Sequence, residues 1–167
     1  MNTPTLIGSL VFAAVLAVLV AVLIRQMVRG WRHRAQRQLS LIGRLPELPD
    51  TVGAALLGPT TGMYVGSTLA PSWLDRIAVG DLGYRSKAVL TRYPEGIMLQ
   101  RSGATPIWIP DDAVVAIRTE RGHAGKAMPV DGILAIRWRL PSGTEIDSGF
   151  RGDDHRVYET WTRKENG

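Results

Sequence analysis

The sequence contains no cysteine among its 167 residues, so disulfides, thiolate zinc sites and a cysteine nucleophile are excluded. No charge interrupts the 19 residues from Leu6 to Ile24, and no acid accompanies the five arginines that follow. These arginines supply the whole net charge of +5, since the remaining 15 bases balance 15 acids. The distribution excludes a uniformly basic nucleic-acid-binding protein, a plain soluble domain and a multi-span transporter.

The uncharged run has the length of a membrane span. Thr5 to Ile24 is 20 residues, and a helix of about 20 residues crosses the roughly 30 Å hydrocarbon core. A cleaved signal peptide would carry its basic residues before the run and a small-residue cleavage site after it, and neither pattern is present. A buried core helix of this length would show a polar face. We therefore predict a retained single transmembrane helix.

The basic residues after the run predict orientation. Basic residues next to a span stay on the cytoplasmic side of the membrane. We therefore expect a protein of the inner (plasma) membrane, with its N-terminus outside the cell and the rest of the chain in the cytoplasm. Val28, Trp31, Ala35 and Leu39 recur at helical spacing, which extends the predicted helix to about Ser40. Two interpretations of this membrane collar stay open, a topology signal and a site for anionic lipid. Its members are Arg25, Arg29, Trp31, Arg32, Arg34 and Arg37.

Beyond the helix, the sequence predicts a linker and a mainly-β domain. Glycine and proline break the pattern over 41–59, and 60–167 alternates short strands with tight turns. Pro94-Glu95-Gly96 and Pro141-Ser142-Gly143 are turn sequences, each between two predicted strands. The sequence thus predicts three parts: a transmembrane helix with a basic extension at 1–40, a linker at 41–59, and a cytoplasmic mainly-β domain at 60–167.

The last segment predicts a helix. Asp153 and Asp154 precede His155 to Lys164, in which Val157, Tyr158 and Trp161 share one face. Seven or eight strands followed by such a helix indicate a small barrel closed by a C-terminal helix, the arrangement of pleckstrin-homology (PH) domains.

Several short stretches resemble actinobacterial single-pass membrane proteins with a bacterial PH-like domain. They are Gly62 to Thr68, Trp73 to Arg76, Leu82 to Arg85, Ile109-Pro110, Ala124 to Lys126, Ile136 to Trp138 and Ser148 to Arg151. The resemblance covers about two thirds of the chain, and Ser148 stands where the family pattern leads us to expect threonine. It implies a small barrel closed by a helix, with no assigned chemistry, and an association with pyrimidine biosynthesis genes. Members are often labelled transporters or export proteins.

The search for catalytic motifs yields none. The glycines of Gly122 to Lys126 are too close together for a phosphate-binding loop, and Ala127 follows the lysine where a hydroxyl is required. The three histidines are far apart in sequence. The carboxylate pairs Asp111-Asp112, Glu145 with Asp147, and Asp153-Asp154 are interpreted as structural. We predict no enzyme activity, no metal, no cofactor and no nucleic-acid partner.

The sequence thus favours a membrane-anchored adapter whose PH-like domain binds a cytoplasmic protein. The alternatives are a module that senses lipid headgroups, and an accessory subunit of a transport, export or biosynthetic complex. The candidate contact residues are Arg121, His123 and Lys126, on a loop that is long for a strand connection, followed by Arg76 and Arg85. Four tryptophans of the domain are expected in the core, with one of them exposed at an edge.

Overall fold

The computed structural model describes residues 2–123, 126–127 and 132–163. It consists of one long helix followed by an antiparallel sheet and a short C-terminal helix. The elements, in chain order, are α1 (Thr3–Ile42), β1 (Leu57–Leu69), β2 (Ser86–Tyr93), β3 (Gly96–Arg101), β4 (Ile107–Pro110), β5 (Val114–Glu120), β6 (Gly122–His123), β7 (Lys126–Ala127), β8 (Ile133–Arg139), β9 (Glu145–Gly152) and α2 (Tyr158–Thr162). Single 3-10 turns at Asp111–Ala113 and His155–Val157 precede β5 and α2.

Helix α1 is long and apolar enough to cross a membrane, and its most apolar window is fully exposed in the isolated chain. It extends two residues beyond the predicted end at Ser40. The helix stops at Gly43, which adopts a φ of 60° and donates its N–H to Leu39 O. A residue without Cβ takes this conformation at little cost.

Seven strands form one sheet in the order β4-β3-β2-β1-β9-β8-β5, and β6 pairs with β7 in a separate hairpin. β1 is 13 residues long and pairs with both β2 and β9, with register shifts after Leu57 and after Tyr64. These irregularities bend β1, so that it serves both halves of the sheet. We call the sheet, its loops and α2 the β domain.

The predicted fold class is confirmed, but the sheet is not closed into a barrel. Among the described residues, β4 and β5 each have one neighbour in the sheet. β4 has only four residues and ends at Pro110, which lacks a backbone donor, and a 3-10 turn then redirects the chain. The ladder therefore has no continuation between these two strands.

The core lies between the two halves of the sheet and extends to both helices. Trp138, Tyr64 and Phe150 are its largest fully buried side chains, and Trp161 of α2 is also buried. Trp108 is buried as well, whereas Trp73 is 40% exposed, as the sequence analysis expected of one tryptophan. The tryptophans of the β domain thus act mainly in packing.

Candidate interaction surfaces

The stretches that carry the family resemblance meet in one buried hydrogen-bond chain. Trp138 Nε1 donates to Ser148 Oγ at 2.9 Å, and the Ser148 and Ser67 hydroxyls are 2.7 Å apart. Ser67 Oγ lies 2.6 Å from Tyr64 Oη, which donates to Leu82 O at 2.5 Å. Each of the three hydroxyl groups donates one hydrogen bond and accepts another, so these polar groups have partners although they are buried. These residues therefore specify the fold and are not available to a ligand.

Arg76 connects two further stretches of the resemblance. Its Nη1 donates to Gly83 O at 2.6 Å, and its Nη2 lies 3.4 Å from Val65 O. The side chain is half-buried and ties two parts of the loop between β1 and β2 to each other and to β1. Its use in partner binding remains a prediction, and the structure gives it a positioning role within the loop.

Sequence reasoning missed a second buried arginine, Arg101. Its side chain has no solvent exposure, and it donates to Thr105 O, Asp81 O and Asp81 Oδ1. Its guanidinium lies 4.8 Å from the centre of the Tyr64 ring. Burial raises the pKa of Tyr64 well above its ordinary value. Burial by itself would raise the pKa of Asp81, but hydrogen bonds from Thr105 and Arg101 outweigh it and hold that pKa below its ordinary value.

The end of α1 is built into the β domain. Gln38 is buried, and it accepts a hydrogen bond from Ala78 N at 2.7 Å and donates to Arg76 O at 3.3 Å. Ile42 is 1% exposed and belongs to the core cluster. Leu41 O accepts hydrogen bonds from the Ser142 and Thr144 hydroxyls. These contacts form the helix–domain joint, which fixes α1 to the domain at its last turn.

The segment after the joint is also held. Leu45 packs partly against the core, Gly53 N donates to the Glu95 carboxylate at 3.0 Å, and Leu56 N donates to Arg92 O at 2.7 Å. In the last turns of α1 the polar side chain is the buried one, since Leu39 is 54% exposed while its neighbour Gln38 is buried. The Gln38 side chain satisfies backbone groups of the loop at Arg76 and Ala78.

The five collar arginines are exposed along the part of α1 that leads to the joint. Arg25, Arg29 and Arg32 line a groove together with Val28. Their spacing of four and three residues places them on one face of the helix. Arg34, Arg37 and Trp31 lie on other faces, so the basic extension is not uniform around the axis.

The loop predicted to bind a partner is partly a hairpin. Arg121 is exposed at the end of β5, His123 ends β6 and Lys126 begins β7, with His123 and Lys126 as register partners. Ala124, Gly125 and the side chains of His123 and Lys126 lie outside the described residues. β6 approaches β1 and β8, so the hairpin lies close to the domain.

Arg85 belongs to an exposed group of three cations, two of which sequence reasoning missed. Met63 of β1 is paired in register with Lys87 of β2 on one side and Arg151 of β9 on the other. Arg85 Nη2 lies 3.3 Å from Met63 Sδ. Lys87, Arg85 and Arg151 are all exposed, and we call them with Met63 the basic patch. Only the strand register brings these positions together.

Two of the carboxylates interpreted as structural, Asp147 and Asp154, have clear structural partners. Asp147 is buried, and its carboxylate accepts hydrogen bonds from Arg137 and Arg118 at 2.8 and 2.9 Å. Burial by itself would raise the pKa of Asp147, but these two hydrogen bonds hold it below its ordinary value. Asp154 caps the turn before α2 by accepting from Arg156 N. No group of three potential metal-ligating side chains occurs in the part of the chain that the structure describes.

A comparison with protein families decides what this arrangement is. The family model described as Bacterial PH domain-like matches residues 42–166. The chain belongs to this family. The match begins at Ile42, the residue through which α1 enters the core, and covers about three quarters of the chain. No curated protein and no solved structure matches the chain. From here on, the β domain is called the PH-like domain.

Proposed function

We propose that this chain is a non-catalytic, membrane-anchored module that presents its PH-like domain to a cytoplasmic protein partner. In this proposal α1 crosses the plasma membrane with its N-terminus outside, as the collar arginines predict. The helix–domain joint carries the proposal, because Gln38 and Ile42 make the membrane helix and the domain one packed unit. A domain fixed in this way presents a defined set of faces to a partner.

The joint also sets how far the domain stands from the bilayer. Fourteen residues separate Ile24, the end of the uncharged run, from Gln38, which at 1.5 Å per residue is about 21 Å of helix. The headgroup layer of one leaflet is about 5 to 8 Å thick, and an average helix tilt of about 20° shortens the rise only slightly. The joint therefore stands beyond the headgroups, which leaves room for a protein partner between the domain and the bilayer.

Site-specific photo-cross-linking in native membranes tests this function. A photoreactive residue is placed at four exposed positions of the PH-like domain, namely Thr61 and Gln100 on one face of the sheet, Asp112 in the turn before β5 and Glu159 on α2. A matched position, Leu16 in the apolar run, serves as the control that labels lipid. We expect at least one domain position to give a discrete protein adduct. If all four domain positions label only lipid, as Leu16 does, the module senses headgroups and the proposal is wrong. If they label nothing, it is wrong as well.

A further inference from the structure

We infer that the basic patch binds an acidic, extended segment of the protein partner, and this inference rests on the proposed function. The patch comprises Arg85, Lys87 and Arg151 around Met63. Among the described residues, Lys87 and Arg151 have no acidic side chain within ion-pair distance. Residues 42–166 hold 15 basic and 15 acidic side chains and so have no net charge, which makes the clustering local.

The two cations are spaced so that one ligand can contact both. Neighbouring strands are about 4.8 Å apart, so Lys87 and Arg151 stand about 10 Å apart on either side of Met63. This exceeds the Debye length of about 8 Å at physiological ionic strength, so salt largely screens their mutual repulsion and the free domain tolerates both charges. A ligand that carries two carboxylates can pair with both cations at once.

The shape of the surface favours an extended chain. Met63 and Lys87 line an open groove of about 480 Å3, together with Thr61, Val89 and Asp153. At Gly62 a Cβ would overlap the Arg151 carbonyl oxygen and the Phe150 ring, so β1 and β9 pack closely beneath the groove. In an extended peptide, side chains two residues apart are about 7 Å apart and point the same way. Carboxylates spaced in this way can reach the cations on both sides of Met63, whose flexible thioether adapts to the chain between them.

The patch is separate from the helix–domain joint. β1 runs from Met63 to Leu69, a rise of about 20 Å, before the loop that bonds Gln38. A ligand on the patch therefore leaves the contacts of the joint intact.

A peptide-binding measurement on the full chain in nanodiscs of zwitterionic lipid tests the patch. The probe is a fluorescent peptide of alternating glutamate and alanine, and its lysine counterpart is the control peptide. The variant Lys87→Gln/Arg151→Gln is compared with Arg139→Gln/Arg156→Gln, which removes the same charge from exposed arginines elsewhere. We expect at least a tenfold loss of affinity for the acidic peptide in the patch variant and less than a twofold loss in the control variant, with unchanged melting temperatures. Equal losses in both variants, or no loss in the patch variant, would overturn the inference.

Photo-cross-linking separates failure of this inference from failure of the proposed function. A photoreactive residue at Thr61 or Val89 in the groove is expected to give the partner adduct, and the patch variant is expected to lose it. Protein adducts from Glu159 or Asp112 alone would leave the proposed function standing and overturn the patch as the site. Lipid adducts from Thr61 and Val89 would identify the groove as a headgroup site and also overturn the inference.

Discussion

The helix–domain joint predicts that a substitution in α1 destabilises the PH-like domain. Ile42 is 1% exposed within the core, so Ile42→Ala removes buried methyl and methylene groups and leaves a cavity. Burial of such a side chain is worth about 1.5 to 3 kcal/mol, and the cavity raises the loss in unfolding free energy to about 2 to 5 kcal/mol. For a domain of this size that loss lowers the melting temperature by roughly 6 to 20 °C.

The measurement uses the full chain in detergent micelles, with unfolding followed by the fluorescence of the buried tryptophans. Leu39→Ala is the matched control, because Leu39 lies in the same last turn of α1 but is 54% exposed. A change within about 0.5 kcal/mol is expected there. Ile42→Val should lie between the two, at about 0.5 to 1.5 kcal/mol. Equal melting temperatures for Ile42→Ala and Leu39→Ala would refute the joint, because a helix on a free linker contributes nothing to the core.

Three further predictions address the sheet, the ion pairs and the topology. Asp147→Asn should cost about 1 to 3 kcal/mol at pH 7, because Arg118 and Arg137 lose their carboxylate. The pKa of Asp147 is lowered in the folded state, so its carboxylate contributes to the unfolding free energy above about pH 4. This contribution is lost as the pH falls through the folded-state pKa. The denaturation curves of wild type and variant should therefore converge in acid. Gly62→Ala should lower the unfolding free energy by about 1 to 3 kcal/mol in thermal melts, because the new Cβ meets backbone atoms of β9. The control Gly30→Ala, in open space on α1, should be neutral or slightly stabilising. Equal effects of the two substitutions would contradict the close approach of the strands. A C-terminal alkaline phosphatase fusion should be inactive and a green fluorescent protein fusion bright, and the reverse pair of results would contradict the proposed orientation.

The resemblance identified the residues that build the fold more readily than those that bind a partner. Three stretches of the resemblance, which contain Tyr64 and Ser67, Trp138, and Ser148, meet in one buried series of hydrogen bonds. In this protein, the stretches that can be recognised from sequence contain side chains whose buried hydrogen bonds require particular residue types. The roles of Arg121, His123 and Lys126 remain predictions, since no observation on their side chains tests them.

By itself, the sequence determined the long apolar helix, the strands with their turns, and the C-terminal helix. These features follow from local periodicity and from the conformations that proline and glycine allow, as at Pro94-Glu95-Gly96 between β2 and β3. The boundary of the domain was less visible, because Ile42 contributes to the core from the far end of the helix. Local patterns do not show which residue of a helix will meet a loop 40 positions later.

Only the tertiary structure decided the joint, the open sheet and the basic patch. Gln38 is buried because Ala78 N needs an acceptor, although a glutamine between collar arginine and leucine reads as a surface residue. Lys87 and Arg151 are 64 positions apart in sequence, and they flank Met63 because β1 pairs with both β2 and β9. Strand register is set by long-range pairing and by bulges in β1, so the neighbours of a side chain across a sheet are fixed by the whole fold.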